Sequence, residues 1–195
     1  MTTIGSLFAA VIAGGLFVAG FQTHAVDSAP AELRPAIQRG DLVIVSVQSA
    51  VLGELRARLA EHGPEHALRS CHLDSAAVAM RIAHREGVRV GRTSARLRNP
   101  RNAPPSWASD IVASHTVPQA RKVDGFVVDL GDRIGLLRPI VEQPICATCH
   151  GPASRLSPAV KAEIARWYPA DGATGFEEGD LRGWFWVEVP KRRVP

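Results

Sequence analysis

The most restrictive feature of the chain is the segment "PICATCHG" at residues 144–151, which contains a Cys-x-x-Cys-His motif formed by Cys146, Cys149 and His150. Covalent haem attachment needs two thiols that bond to one edge of a porphyrin and an iron ligand from the same short segment. The motif supplies all three groups. It therefore predicts one covalently bound haem c with His150 as the proximal ligand, and the rest of the fold must accommodate a flat porphyrin.

Two other uses of paired cysteines are a redox disulfide and half of a zinc site. A redox Cys-x-x-Cys is expected in a thioredoxin-like βαβ setting, and a structural zinc site needs four protein ligands. The sequence contains three cysteines, so only Cys71 remains and there is no second Cys-x-x-Cys. The motif thus favours haem over both alternatives.

The N-terminal segment has the character of an export signal. The first 25 residues contain no Lys, Arg, Asp or Glu, and the apolar run at residues 4–21 leads to Thr23-His24-Ala25, a small-x-small pattern. We predict a signal at residues 1–25 and a periplasmic location, the compartment where c-type haem is attached. The alternative is an uncleaved membrane anchor, since about 18 apolar residues is near the lower limit for crossing a bilayer.

The remaining residues, 26–195, are predicted to form a single domain. The chain has 195 residues and 46% hydrophobic content, which is enough for one ordinary core. Its formal net charge of +4 suits an anionic cofactor or partner, but this charge is too small to indicate nucleic-acid binding. The expected partner is a redox protein or a membrane signalling protein.

Hydrophobic periodicity and turn residues predict an α+β fold with an antiparallel sheet. Two N-terminal helices are separated at Gly63-Pro64, and Gly131-Asp132 provides the turn of a hairpin. The predicted helices are 41–62, 65–84, 107–115 and 156–167, and the predicted strands are 88–98, the hairpin at 120–142, and 180–189.

Cys71 is our first choice for the ligand on the other side of the iron. On a helix it shares an apolar face of small side chains with Ala67, Ser75, Val78 and Ile82. Small residues would let this helix approach a porphyrin closely. The alternatives are a simple buried cysteine, or ligation by His72, Met80 or His115.

A basic segment, "GRTSARLRNPRN", is the predicted partner of the haem propionates. It contains Arg92, Arg96, Arg98 and Arg101, and arginine pairs well with carboxylates. We predict that Arg92, Arg96 and Arg98 contribute to cofactor binding. The alternative is a solvated strand face.

Four segments together resemble a known family: "SCHLDSA", "VGRTSARLRNPRN", "PICATCHG" and "YPADGATGFEEGDLRGWFWV". They are similar to single-haem c-type domains with a PAS-like fold, which occur as exported proteins and as extracytoplasmic input domains of bacterial sensor kinases. The resemblance implies a five-stranded antiparallel sheet flanked by helices, with haem between the sheet and the cysteine-bearing helix. It also implies that the position matching Cys71 serves as an axial thiolate.

The predicted function is electron transfer by an exported monohaem cytochrome. A thiolate stabilises Fe(III), so the reduction potential should be low. The alternative is a redox or small-gas sensor whose thiolate ligand switches; because the chain ends at "KRRVP" without a second membrane span, its transducer would be a separate protein. A peroxidase-like enzyme is not expected, because no spacing marks His115 and Asp110 as acid–base groups.

Overall fold

The computed structural model describes residues 17–18, 21–116 and 123–192, with the side chains of residues 17–18 and 69–76 outside this description. Helices pack on an antiparallel sheet, which confirms the α+β prediction. The helices are α1 (Arg34–Glu86), α2 (Ser109–Ser114), α3 (Pro144–His150) and α4 (Pro158–Trp167). The strands are β1 (Phe17–Val18), β2 (Phe21–Ala25), β3 (Arg89–Thr93), β4 (Phe126–Asp129), β5 (Arg133–Val141) and β6 (Leu181–Pro190).

The sheet has the strand order β1-β2-β4-β5-β6-β3, and all of its pairs are antiparallel. Its centre is the long pair β5 and β6, in which Leu136 lies opposite Val187. The resemblance implied five strands. The structure adds a sixth, because the two residues of β1 pair with β2 at one end of the sheet.

Helix α1 contains the predicted pair of helices, joined at a break. Gly63 has φ 75° and ψ 177°, which is not helical, and Pro64 follows it. A positive φ favours glycine, and proline cannot continue the hydrogen bonding of a preceding helical turn. The predicted boundary at Gly63-Pro64 is therefore confirmed, while the first helix begins at Arg34 rather than at residue 41. Pro35 explains the early start, because proline is well tolerated in the first helical turn.

Strand β3 is shorter than the predicted strand 88–98. After Thr93, the hydroxyl of Ser94 donates to the carbonyl oxygen of Arg182 at 2.8 Å and accepts from the main-chain N–H of Arg96 at 3.1 Å. A serine hydroxyl bonded two residues ahead forms a local turn. This turn takes the chain away from the sheet, and the prediction was wrong beyond Thr93.

The predicted hairpin is formed by β4 and β5. The Asp129 carboxylate accepts from the N–H of Gly131 at 2.8 Å, and Gly131 adopts φ 90°. Such a side-chain turn with a glycine at positive φ is the chemistry that the sequence indicated. Residues 117–122, which include the start of the predicted hairpin segment, lie outside the described residues.

The sheet is covered on both faces. Helix α1 packs on one face, while the other is covered by α2 and the turn that carries Trp107. Residues of β6 alternate between the two cores, with Phe185 in the first and Trp184 in the second. This alternation is the period-two pattern of a strand with two buried faces.

Strand β2 consists of the last five residues of the predicted export signal. Thr23, His24 and Ala25 pair with Val128, Val127 and Phe126 of β4. Within the described part of the chain, no helix is both long and apolar enough to cross a membrane.

Helix α1 packs closely against the sheet at Gly40. A Cβ at Gly40 would lie 2.8 Å from Leu136 Cδ2 and 3.1 Å from Val187 Cγ1, whereas one at Gly53 would meet nothing within 4 Å. Both glycines are helical, so alanine gains about 1 kcal/mol of helix propensity at either position. Overpacking costs about 1 to 3 kcal/mol. We expect Gly40→Ala to lower the free energy of unfolding and Gly53→Ala to raise it, as measured by denaturant titration. Equal stabilisation by both variants would contradict close packing at Gly40.

Candidate functional site

Helix α3 carries the complete Cys-x-x-Cys-His motif on seven residues. Pro144 follows the extended residue Gln143 and occupies the first turn, where its missing N–H costs no hydrogen bond. Cys146 and Cys149 are three residues apart, so they lie on the same side of the helix. The N–H of Gly151 donates to the carbonyl oxygen of Ala147 at 3.0 Å and ends the helix directly after His150.

The His150 imidazole is oriented by the loop that precedes β6. Its Nδ1–H donates to the carbonyl oxygen of Ala173 at 2.7 Å. The main-chain carbonyl of His150 accepts from the N–H groups of Gly175 and Phe176, both at 2.9 Å. Because Nδ1 carries the proton, Nε2 has the lone pair, and it accepts from Nη2 of Arg182 at 3.2 Å. The arrangement presents Nε2 as an electron-pair donor.

His150 is held in its neutral form. Burial lowers its pKa well below the ordinary value, and the positive charges of Arg182 and Arg98 lower it further. A neutral imidazole is the form that binds metal ions. The position of His150 therefore suits a metal ligand at neutral pH without a preceding deprotonation.

Arg182 is a charged group at this site that the sequence analysis did not identify. Its Nε atom is buried and has no hydrogen-bond partner among the described residues. Burial lowers the pKa of Arg182 to about 10, against the opposing effect of the Glu142 carboxylate. Its guanidinium lies over the Phe176 ring, with Cζ 5.2 Å from the ring centroid. At neutral pH it remains a cation in contact with His150.

Glu142 is a second charged residue that the sequence did not reveal. Its exposed fraction is 1%, and neither carboxylate oxygen has a hydrogen-bond partner among the described residues. Burial raises the pKa of Glu142 to about 7, while the charge of Arg182 acts in the opposite direction. A charged residue directly before "QPICATCHG" was visible in the sequence, but its burial was not.

Arg98 links α3 to the loop that orients His150. Its Nε donates to Asp171 Oδ1 at 2.9 Å and its Nη2 donates to the carbonyl oxygen of Cys149 at 2.7 Å. Asp171 also accepts from the N–H of Ala173 at 3.1 Å and from the Thr174 hydroxyl at 2.6 Å. The Arg98–Asp171 pair thus stabilises both the end of α3 and the carbonyl that binds His150.

The other two predicted arginines lie in the same region. Arg96 donates to the carbonyl oxygens of Gly172 and Thr174, and its Cζ lies 4.1 Å from the centroid of the Phe176 ring. Arg92 belongs to β3, and its charge contributes to the low pKa of His150. The predicted arginines therefore surround the loop and helix that hold His150, and their pairing with propionates stays a prediction.

The buried ion pair between Arg98 and Asp171 is expected to contribute strongly to stability. Their side chains are 9% and 8% exposed, so Arg98→Ala leaves a buried carboxylate without its cation. Such a loss costs about 3 to 5 kcal/mol. Denaturant unfolding of Arg98→Ala should show this decrease. The control is Arg155→Ala: the Arg155–Glu177 pair is 62% exposed on both sides, so we expect a change below about 1 kcal/mol. Similar losses of unfolding free energy in both variants would contradict a special contribution of the buried Arg98–Asp171 pair.

The second half of α1 reaches the motif through a small apolar cluster. Leu68 packs with Leu156, Val160 and Ile164, and Cys149 is partly buried against the same residues. Cys71 and His72 follow Leu68 in the helix, and their side chains lie outside the description. The predicted axial role of Cys71 therefore stays a prediction, although the helix that carries it is adjacent to α3.

The structure gives the surroundings of two of the alternative ligands. Met80 is 64% exposed on α1. His115 packs against Phe126 with ring centroids 4.7 Å apart, and its Nδ1 lies 2.8 Å from the carbonyl oxygen of Ile111. None of these described contacts of His115 involves α3.

The chain is similar to known proteins in both sequence and structure. A family model described as Tll0287-like matches residues 24–190. A solved structure titled "Crystal structure of the cyanobacterial heme-protein Tll0287" is 25% identical in sequence, with a TM-score of 0.58, and the match covers 86% of this chain and all of that one. No curated protein sequence matches. Because the family model extends over most of its length, the chain belongs to the Tll0287-like family.

Proposed function

We propose that this protein carries one haem c, bound by thioether bonds to Cys146 and Cys149, with Nε2 of His150 as the proximal ligand of the iron. The observation that carries the proposal is the 2.7 Å hydrogen bond from His150 Nδ1 to Ala173, which places the proton on Nδ1 and makes Nε2 the electron-pair donor of the ring, on the helix that bears both cysteines. A metal-bound histidine ordinarily donates its other ring N–H in this way. The heme-protein title of the related solved structure supports the same cofactor.

The surrounding residues fit a haem on two further observations. Nε2 of His150 has one lone pair, which Arg182 occupies in this structure, so iron ligation would replace the contact with Arg182. The guanidinium of Arg182 already has one buried nitrogen without a described partner. Loss of its contact with His150 would free a further N–H donor. Together with Arg92, Arg96 and Arg98 it provides positive charge for a cofactor with two propionates.

We further propose Cys71 as the distal ligand within a PAS-like domain. Leu68 packs in the same apolar cluster as Cys149, and Cys71 lies three residues after Leu68 in the same helix. Residues three apart occupy the same side of a helix. The proposed alternatives are His72, Met80 and His115, of which His72 is the neighbour in sequence.

The role that this ligand set supports best is electron transfer in the periplasm, with a redox protein as partner. A bound haem supplies one-electron chemistry at the iron. The chain itself supplies a fixed proximal imidazole, a cationic environment and, through Cys71, an anionic sulfur that favours the ferric state. The second candidate is a redox or gas sensor that signals through a membrane protein. It is favoured by the break at Gly63, a position at which the segment that carries Cys71 can change direction.

Mass spectrometry of the denatured protein tests covalent attachment directly. The full chain should be produced in a host that assembles c-type cytochromes, and the purified protein should be denatured before measurement. We expect the polypeptide mass to increase by that of one haem, with a cytochrome absorption spectrum in the native sample. A polypeptide without added mass from such a host would overturn the proposal.

A further inference from the structure

Glu142 is a buried acid whose position is fixed by the main chain. It follows the last residue of β5, where its N–H donates to the carbonyl oxygen of Asp180 at 2.9 Å and its carbonyl accepts from the N–H of Gly179 at 3.0 Å. Its side chain is 1% exposed. Because both main-chain groups are bonded, the backbone that carries the buried carboxylate is tied to the segment before β6.

The carboxylate of Glu142 is surrounded by charges rather than by hydrogen-bond donors. Both of its oxygens lack a partner among the described residues. The cations Arg182 and Arg98 lower the pKa of Glu142, and the anion Asp180 raises it. The charge of Glu142 in turn raises the pKa of the Cys146 thiol. Burial raises the pKa of Glu142 to about 7, with the two cations opposing that effect. The ionised form therefore depends on the local positive field.

We propose that Glu142 binds one proton when the haem of this protein accepts one electron, and releases it on reoxidation. The inference rests on the proposed haem function. The electron comes from a one-electron donor, the redox partner, and reduces Fe(III) to Fe(II). The proton comes from solvent and forms one O–H bond on a carboxylate oxygen of Glu142, and no other bond forms or breaks.

The physical reason is charge balance in a poorly solvated region. Reduction removes one positive charge from the iron, so the positive field that stabilises the ionised Glu142 carboxylate becomes weaker. Water would stabilise the negative charge of an exposed carboxylate, and hydrogen-bond donors would stabilise that of a bonded one. The described surroundings of Glu142 provide neither exposure to water nor donors. Protonation restores the original net charge of the site and therefore accompanies reduction.

The test is the pH dependence of the reduction potential of the haem-loaded protein. We expect the midpoint potential to fall with rising pH in a range that includes neutral pH, because burial raises the pKa of Glu142 to about 7. One proton per electron changes the redox equilibrium tenfold per pH unit, which is about 59 mV per unit. Glu142→Gln should remove this slope while keeping the shape of the side chain. The matched control is Glu178→Gln, because Glu178 is an exposed carboxylate and its replacement changes the net charge equally.

Infrared spectroscopy gives a second readout on the unmodified protein. The reduced-minus-oxidised spectrum at neutral pH should contain the band of a newly protonated carboxylic acid, and this band should be missing from Glu142→Gln but present in Glu178→Gln. Absence of the band from the unmodified protein counts against the proposal even if Glu142→Gln does not fold. A haem-loaded protein with a pH-independent potential, an unchanged slope in Glu142→Gln, or an absent carboxylic acid band would overturn the Glu142 proposal alone. A protein without covalent haem would overturn the proposed function and the inference with it.

Discussion

Replacement of both Cys146 and Cys149 by alanine is expected to abolish covalent haem attachment. Each thiol can form one thioether, so the single variants should retain one bond to the porphyrin and the double variant none. Mass spectrometry of the denatured proteins, after production in a host that assembles c-type cytochromes, should show the added haem mass in decreasing amounts from wild type to single to double variant. We expect no added haem mass on the double variant, because haem that is not covalently bound dissociates when the protein is denatured.

The matched control for the double variant is Cys71→Ala. It also removes a thiol, but one that lies outside the attachment motif. Haem should remain covalently bound in Cys71→Ala. Retention of the haem mass by the double variant, or its loss from Cys71→Ala, would contradict the assigned roles of the three cysteines.

Cys71→Ala is expected to change the axial ligation of the iron, whereas His72→Ala leaves it intact. An anionic sulfur stabilises Fe(III) more than Fe(II), so its removal should raise the reduction potential and replace the low-spin ferric spectrum. Optical and EPR spectra of the two variants beside wild type measure this directly. The reverse result, with a change only in His72→Ala, would make the adjacent histidine the distal ligand.

Two further variants and one titration complete that experiment. Met80→Ala and His115→Ala should retain the wild-type spectrum, since Met80 is exposed and His115 packs against Phe126. Optical titration then separates the two proposed functions. Unchanged ligation on reduction and no carbon monoxide adduct favour an electron carrier, whereas displacement of the distal ligand favours a sensor.

The sequence was most informative where a feature depends on neighbouring residues. The break at Gly63-Pro64 is an example, because the backbone preferences of glycine and proline act within one turn. The hairpin turn at Gly131 and the cap at Ser157, whose hydroxyl accepts from the N–H of Val160 at 3.1 Å, are local in the same way. The extent of β3 was only partly predictable, because the Ser94 turn that ends the strand combines a local bond from the N–H of Arg96 with a bond to the carbonyl oxygen of Arg182, which lies 88 residues later.

The attachment motif could likewise be read directly, because its chemistry depends only on the spacing of Cys146, Cys149 and His150. The sequence by itself thus determined the bonding groups of the proposed site. Only the tertiary structure decided which tautomer His150 adopts, through Ala173, and which charges act near it, through Arg182 and Glu142. These effects arise from burial and from contacts between distant segments, and the electrostatic strength of a group depends on its solvation, which a sequence does not contain.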